Sequence, residues 1–172
     1  SALNLSVALR VRDLCAFLGV DTVMTRDTEE ITYPSEAKTI AAMKKWDTRR
    51  RVEIAESVDS PVFLSIHQNI YPSSGPHGSQ VLYAQNEPSR ALAELIQSRL
   101  TAALLPEHRR VPVPAGKDIY IMSHVQCTAV LVECGFLSHP QELSLLQSAD
   151  YQKKIASVLT ACYLQFTEKG VL

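Results

Sequence analysis

The sequence predicts an α/β domain built on an open, mostly parallel twisted sheet with helices on both faces. Three observations predict it. Two short, almost wholly apolar runs, PVFLSI at 61–66 and AVLV at 129–132, fit strands buried on both faces. Segments with helical periodicity alternate with such runs along the chain. The link between the first helical segment and the strand text after it is very short, as in α/β folds. With 172 residues and a hydrophobic fraction of 46%, the chain suits one globular domain.

The elements follow in order. Leu3, Val7, Val11, Leu14 and Leu18 recur at helical steps and line one face, and Gly19 offers a stop. Residues 20–25 (VDTVMT) then read as a short strand closed by Arg26 and Asp27. Residues 27–47 are polar and irregular, with Pro34 among them, and a helix is predicted from Thr48 to about Ser57 with Asp47 as its cap. Lys44, Lys45, Arg49, Arg50 and Arg51 crowd around Trp46, either as a basic lip facing substrate or as a solvated helix face. The strand at 61–66 ends at His67, and QNIYPSSGPHGSQ must loop before a strand at Val81, Leu82 and Tyr83. A helix starting near Pro88 presents Leu92, Ile96, Leu100 and Ala103 to the core. Residues 106–118, with three prolines and a glycine, form a loop, and Ile119 to Met122 read as a short strand or turn. The strand at 129–132 ends at Glu133. Ser138 and Gln141 then fit a capping pair at a helix entrance. A last helix from about Asp150 carries Tyr151, Ile155, Val158, Leu159, Cys162 and Phe166 on its inner stripe.

Composition excludes several classes. Lys+Arg is 17 and Asp+Glu 18, a net charge of -1, which gives no electrostatic footprint for nucleic acid or an anionic membrane. No apolar run reaches the ~18–20 residues of a transmembrane helix. Cys15, Cys127, Cys134 and Cys162 show no C-x-x-C spacing and read as free thiols. There is no G-x-S-x-G, no H-E-x-x-H and no phosphate-loop lysine pattern.

In open α/β sheets, ligands bind beyond the carboxyl ends of the strands. His67 and Glu133 each stand directly after a buried run, where that rim would lie. Either could be structural, the histidine hydrogen-bonded and the glutamate paired with a base. Together they match another chemistry: a neutral imidazole binds zinc, and a nearby carboxylate takes a proton from the metal's water. A catalytic zinc needs three protein ligands, and His77, His108, His124 and His139 are further candidates on count alone. Cys134 adjoins Glu133, but strand alternation turns it to the opposite face as a packed thiol.

These residues carry a resemblance. LNLSVA at 3–8, VMTRD at 23–27, RRVEIA at 50–55, LSIHQN at 64–69, GSQVLY at 78–83, AVLVECGFLSHP at 129–140 and YQKKIA at 151–156 occur in the order seen in the zinc-dependent N-acetylmuramoyl-L-alanine amidases of cell-wall autolysins and phage endolysins. The chain resembles that family over nearly its whole length. The resemblance implies residues 1–172 as one amidase catalytic domain, with Zn2+ as cofactor, His67 as a metal ligand, Glu133 as the catalytic base and then acid, and Asn69 lining the substrate site. It implies a peptidoglycan substrate cut between N-acetylmuramic acid and L-alanine, and an extracytoplasmic location in the envelope or outside the cell.

Two departures carry expectations. The family's second histidine, in a D-P-G-H-G-like segment, and a glutamate ahead of the L-N-L helix would both fall before Ser1, so the domain is expected to be N-terminally incomplete, short of its first strand. Ser123 and Thr128 replace an arginine and a proline common in the family, and the polar stretch 28–47 resembles the spore-cortex subgroup. The alternative reading is a metal-free peptidoglycan-binding or regulatory module with the amidase fold. A third is a zinc carboxypeptidase or aminopeptidase of similar sheet architecture.

Overall fold

The computed structural model describes residues 2–168 and 170. Its elements run α1 (Ala2–Phe17), α2 (Ile40–Glu56), β1 (Val62–Asn69), β2 (Gln80–Tyr83), α3 (Glu87–Leu104), β3 (Val113–Pro114), α4 (Tyr120–His124), β4 (Thr128–Phe136), α5 (Pro140–Gln147) and α6 (Ala149–Glu168). The four strands make one sheet in the order β1-β4-β2-β3. β1 runs parallel to β4, β3 parallel to β2, and β2 antiparallel to β4. The open, mostly parallel sheet read from the apolar runs is the one that forms.

Alternation along the strands feeds two cores. Ile66, Val81, Val130, Val132 and Cys134 face one side, against Val7 of α1, Leu92 and Ile96 of α3, and Ile155 and Leu159 of α6. Ala129 and Leu131 face the other, against Val52 and Ala55 of α2 and Met122 of α4. Helices thus cover both faces. Leu92, Ile155 and Leu159 are almost wholly inaccessible, and burial of each contributes about 1.5–3 kcal/mol.

Local chemistry explains where each helix starts and stops. Gly19, at φ +73°, lets α1 end in a left-handed cap, with the Val20 amide donating to the Cys15 carbonyl at 2.9 Å. Leu18 falls outside the helix and is exposed, so the predicted stripe stops short of it. Helix α2 begins at Ile40 rather than Thr48, because the Thr39 hydroxyl accepts from the Ala42 amide at 3.1 Å and caps it there. Asp47, read as the cap, lies inside the helix and pairs with Arg51 one turn on, at 2.9 Å. Lys44, Lys45, Arg49 and Arg50 are exposed, which makes most of the basic cluster a solvated face. Asn86 caps α3, with the Ser89 amide donating to its side chain at 2.9 Å.

Three further expectations are corrected. Residues 20–25 form no strand: they line a trough of about 990 Å3 that β1 also borders, and without a ladder partner the backbone stays irregular. Residues 120–122 are helical instead: the Ile119 amide closes a turn onto the Gly116 carbonyl, and α4 starts behind it as the Ser123 amide bonds to the Ile119 carbonyl, with Tyr120 and His124 stacked at 3.8 Å. The cap of α5 is His139, whose Nδ1 accepts from the Glu142 amide at 3.3 Å, while the Ser138 hydroxyl accepts the Tyr71 amide at 3.1 Å. The cap is therefore shifted by one residue, and the side chain at the return position, Glu142, accepts the Gly78 and Phe136 amides instead of the cap's own.

Candidate active site

Parallel pairing of β1 with β4 sets His67 opposite Glu133, and antiparallel pairing of β2 with β4 sets Gln80 opposite the same glutamate. Directly opposed residues share a face. His67, Glu133 and Gln80 therefore form a row across three strands, on the face covered by α2 and α4. The apolar partners one residue back, Ile66 and Val132, point into the opposite core. Each strand runs on past its predicted end, β1 to Asn69 and β4 to Phe136, so the pair sits within the last turns of the ladder.

The row is unusual within its strand. Of the nine residues of β4, Glu133 alone is not buried. Burial of its carboxyl nevertheless pushes its pKa from 4.5 up to about 7, and Oε2 is buried with no hydrogen-bond partner among the described residues. A carboxyl in that condition exchanges a proton readily near neutrality. His67 is half-buried; burial first, and then the nearby Arg51 guanidinium, holds its pKa below the usual histidine value, so the imidazole is neutral at pH 7. No side-chain hydrogen bond engages its ring among the described residues. Asn69 lies two residues on, beyond a register irregularity, and its Oδ1 accepts the Ile70 amide at 2.8 Å. The structure thus brings His67 and Glu133 together and sets Asn69 at the mouth of the same strand.

Of the other histidines, His77 packs its ring against those of His108 and His139, at 5.3 and 5.2 Å between centroids, and His124 stacks on Tyr120. Nδ1 of His77 meets the Gly75 carbonyl at 2.9 Å, Nδ1 of His108 accepts the Arg110 amide at 3.4 Å, and Nδ1 of His124 meets the Tyr120 carbonyl at 2.8 Å. His139 caps α5. Among the described residues no group of three His, Cys, Asp or Glu side chains is disposed to hold a metal ion. His67 has the properties of one ligand, and the described residues do not complete a metal centre around it. All four cysteines are free; burial pushes the Cys134 thiol up to about 12, as suits a packed side chain and not a nucleophile.

Sequence reasoning missed three residues of this rim. Gln80 belongs to it by strand parity, which was readable from the alternation with Val81. Arg110 lies over the Phe136 ring at 5.1 Å and donates to the Gln80 side chain at 3.1 Å, a contact of a loop with two strand ends that carries no sequence signal. Glu142 is buried and accepts the Gly78 and Phe136 amides, both at 2.8 Å, tying the loop before β2 to the end of β4. A glutamate beginning a helix reads as solvated until the loop folds over it.

Fold and site define an α/β protein with a poised carboxyl and a neutral imidazole side by side at the strand ends. The sequence signature of the N-acetylmuramoyl-L-alanine amidases matches residues 1–162, and the chain belongs to that family. It is 36% identical over 172 residues to the germination-specific N-acetylmuramoyl-L-alanine amidase of Bacillus subtilis, covering 97% of this chain and 70% of that protein. It is 31% identical to the amidase LytC of the same species, over 91% of this chain and 29% of LytC. Among solved structures, the CwlD amidase of Clostridioides difficile, in complex with the GerS lipoprotein, superposes with a TM-score of 0.92 at 29% identity, over 97% of this chain and 85% of that one. No helix among the described residues is long and apolar enough to cross a membrane.

Proposed function

We propose that this chain carries the amidase activity of its family, hydrolysing the amide between N-acetylmuramic acid and L-alanine in peptidoglycan. The observation that carries the reading is the in-register pair of His67 and Glu133, with the unpartnered Glu133 Oε2 beside a neutral imidazole. Family membership supports this choice of bond, and hydrolysis of an amide needs a base to activate water and an acid to protonate the leaving amine. Glu133, near half-ionised at pH 7, fills both roles in turn. Its carboxylate takes a proton from the attacking water as the new C–O bond forms. It then returns that proton to the L-alanine nitrogen as the C–N bond breaks, and the stem peptide leaves as a free amine.

The cofactor in this reading is zinc, with His67 as one ligand. Zinc, when bound, supplies Lewis-acid polarisation of the carbonyl and a more acidic water. Asn69, at the end of β1, lines the path of the substrate. The similarity to the germination-specific enzyme supports a role in sporulation or germination, on cell-wall material outside the cytoplasm.

The test is product analysis. Full-length protein is freed of metal with chelator, reloaded with zinc and incubated with purified peptidoglycan. New L-alanine amino termini are expected, abolished by chelation and restored by zinc. Amino termini of other residues would indicate a peptidase. Retained binding to peptidoglycan without any new amino terminus would indicate a binding module.

A further inference from the structure

The Arg110 guanidinium is held from several sides. It lies over the Phe136 ring at 5.1 Å, Nε donates to the His77 carbonyl at 3.2 Å, and Nη1 donates to the Gln80 Oε1 at 3.1 Å. Gln80 is itself fixed, its amide nitrogen donating to the Val111 carbonyl at 2.6 Å. Because Gln80 opposes Glu133, Arg110 extends the row of the site on the side away from His67.

Among the described residues this arginine has no acidic ion-pair partner. The nearest buried carboxylate, Glu142, is committed to the Gly78 and Phe136 amides. Arg110 also borders a shallow cleft of about 450 Å3, lined by Gly75, Pro76, His77, His108 and Arg109 and by no acidic residue. His108 there is held below its usual pKa, by burial first and then by the positive charge of Arg110. A planar donor fork, fixed on an aromatic ring with donors to spare, is built to receive a carboxylate.

The substrate says which carboxylate. Under the amidase reading, on which this inference rests, the lactyl carboxyl of the muramic acid is consumed in the scissile amide. The free carboxylates of a muramyl peptide then lie only on the peptide. We propose that Arg110 is a specificity-determining residue that binds a free carboxylate on the peptide side of the scissile amide, that of the second stem residue.

The experiment compares two synthetic muramyl peptides, one with the α-carboxyl of the D-glutamate at the second stem position free and one with it amidated, cleaved by the zinc-loaded full-length protein. The unsubstituted protein is expected to favour the free acid by roughly 10–100-fold in kcat/KM, the range for a hydrogen bond to a charged group. Arg110→Gln should raise KM for the free acid by a similar factor, leave kcat within about twofold and erase the preference; Arg110→Lys should restore part of it. Binding of the released free-acid peptide, measured by calorimetry on each variant, should weaken in parallel. Equal cleavage of both substrates by the unsubstituted protein, or a preference that survives Arg110→Gln, overturns the assignment and leaves the amidase reading intact. Cleavage of neither substrate overturns the amidase reading, and the assignment with it.

Discussion

Removing the Glu142 carboxylate should loosen the scaffold behind the site. Its two oxygens receive the Gly78 and Phe136 amides at 2.8 Å each, in a position only 8% exposed. Hydrogen bonds to a charged group contribute about 1.5–3 kcal/mol apiece, and a buried donor left unmade costs its full desolvation. Part of that loss is offset, because the variant no longer buries a carboxylate. The net expectation for Glu142→Ala is about 2–4 kcal/mol of destabilisation. Glu142→Gln keeps the volume but sets an amide NH2 against one of the two backbone donors, so it should fall between the parent and the alanine variant. Urea unfolding at pH 7 reads this directly, and a loss near 3 kcal/mol lowers the midpoint by roughly 1–2 M for a domain of this size. A loss under about 1 kcal/mol for Glu142→Ala would refute the reasoning, since two buried amides would then have been left unpaired at almost no cost.

Other outcomes follow from the same geometry. Glu133 binds its proton more tightly folded than unfolded, so native stability falls as pH rises from about 4.5 to about 7, and the cost is complete above that. At about 1.4 kcal/mol per pH unit the ceiling is about 3 kcal/mol, reduced to about 1–2 by the solvent that still reaches the group. In chelated protein, Glu133→Gln should therefore gain stability over the parent progressively across that window, and a pH-independent difference would contradict the burial argument. Gly78→Ala should cost about 1–3 kcal/mol, because φ is +86° and the new Cβ would lie 2.7 Å from His108 Nε2; adding His108→Ala should recover only part of the loss in a denaturation assay. His67→Ala should lower both zinc content, by metal analysis, and amidase turnover.

The sequence was most informative where a single physical signal acted alone. The apolar runs at 61–66 and 129–132 became the paired central strands β1 and β4, because uninterrupted burial on two faces leaves few other folds. His67 and Glu133 could be placed at one rim from their positions after those runs. Their exact opposition was not readable, since register depends on pairing between segments far apart in the chain. Residues 20–25 carry strand composition, but a strand needs a hydrogen-bonded neighbour, and in this structure the trough lies where one would pair. The start of α2 was misplaced because Asp47 and Thr39 are both good caps, and the helix takes the earlier one when Asp47 has Arg51 to bond. Arg110 and Glu142 stayed invisible because their partners are backbone groups and side chains far away in the sequence or at strand ends, which no local pattern encodes.

The central claim is that Glu133 moves protons at a site that His67 helps to build. Glu133→Ala in the zinc-loaded full-length protein addresses it most directly, with zinc content and release of L-alanine amino termini measured on one preparation. Zinc content should equal that of the parent, with turnover lower by roughly 100-fold or more, the usual share of general acid–base catalysis. Near-normal turnover in that variant, at equal zinc content, would contradict the account.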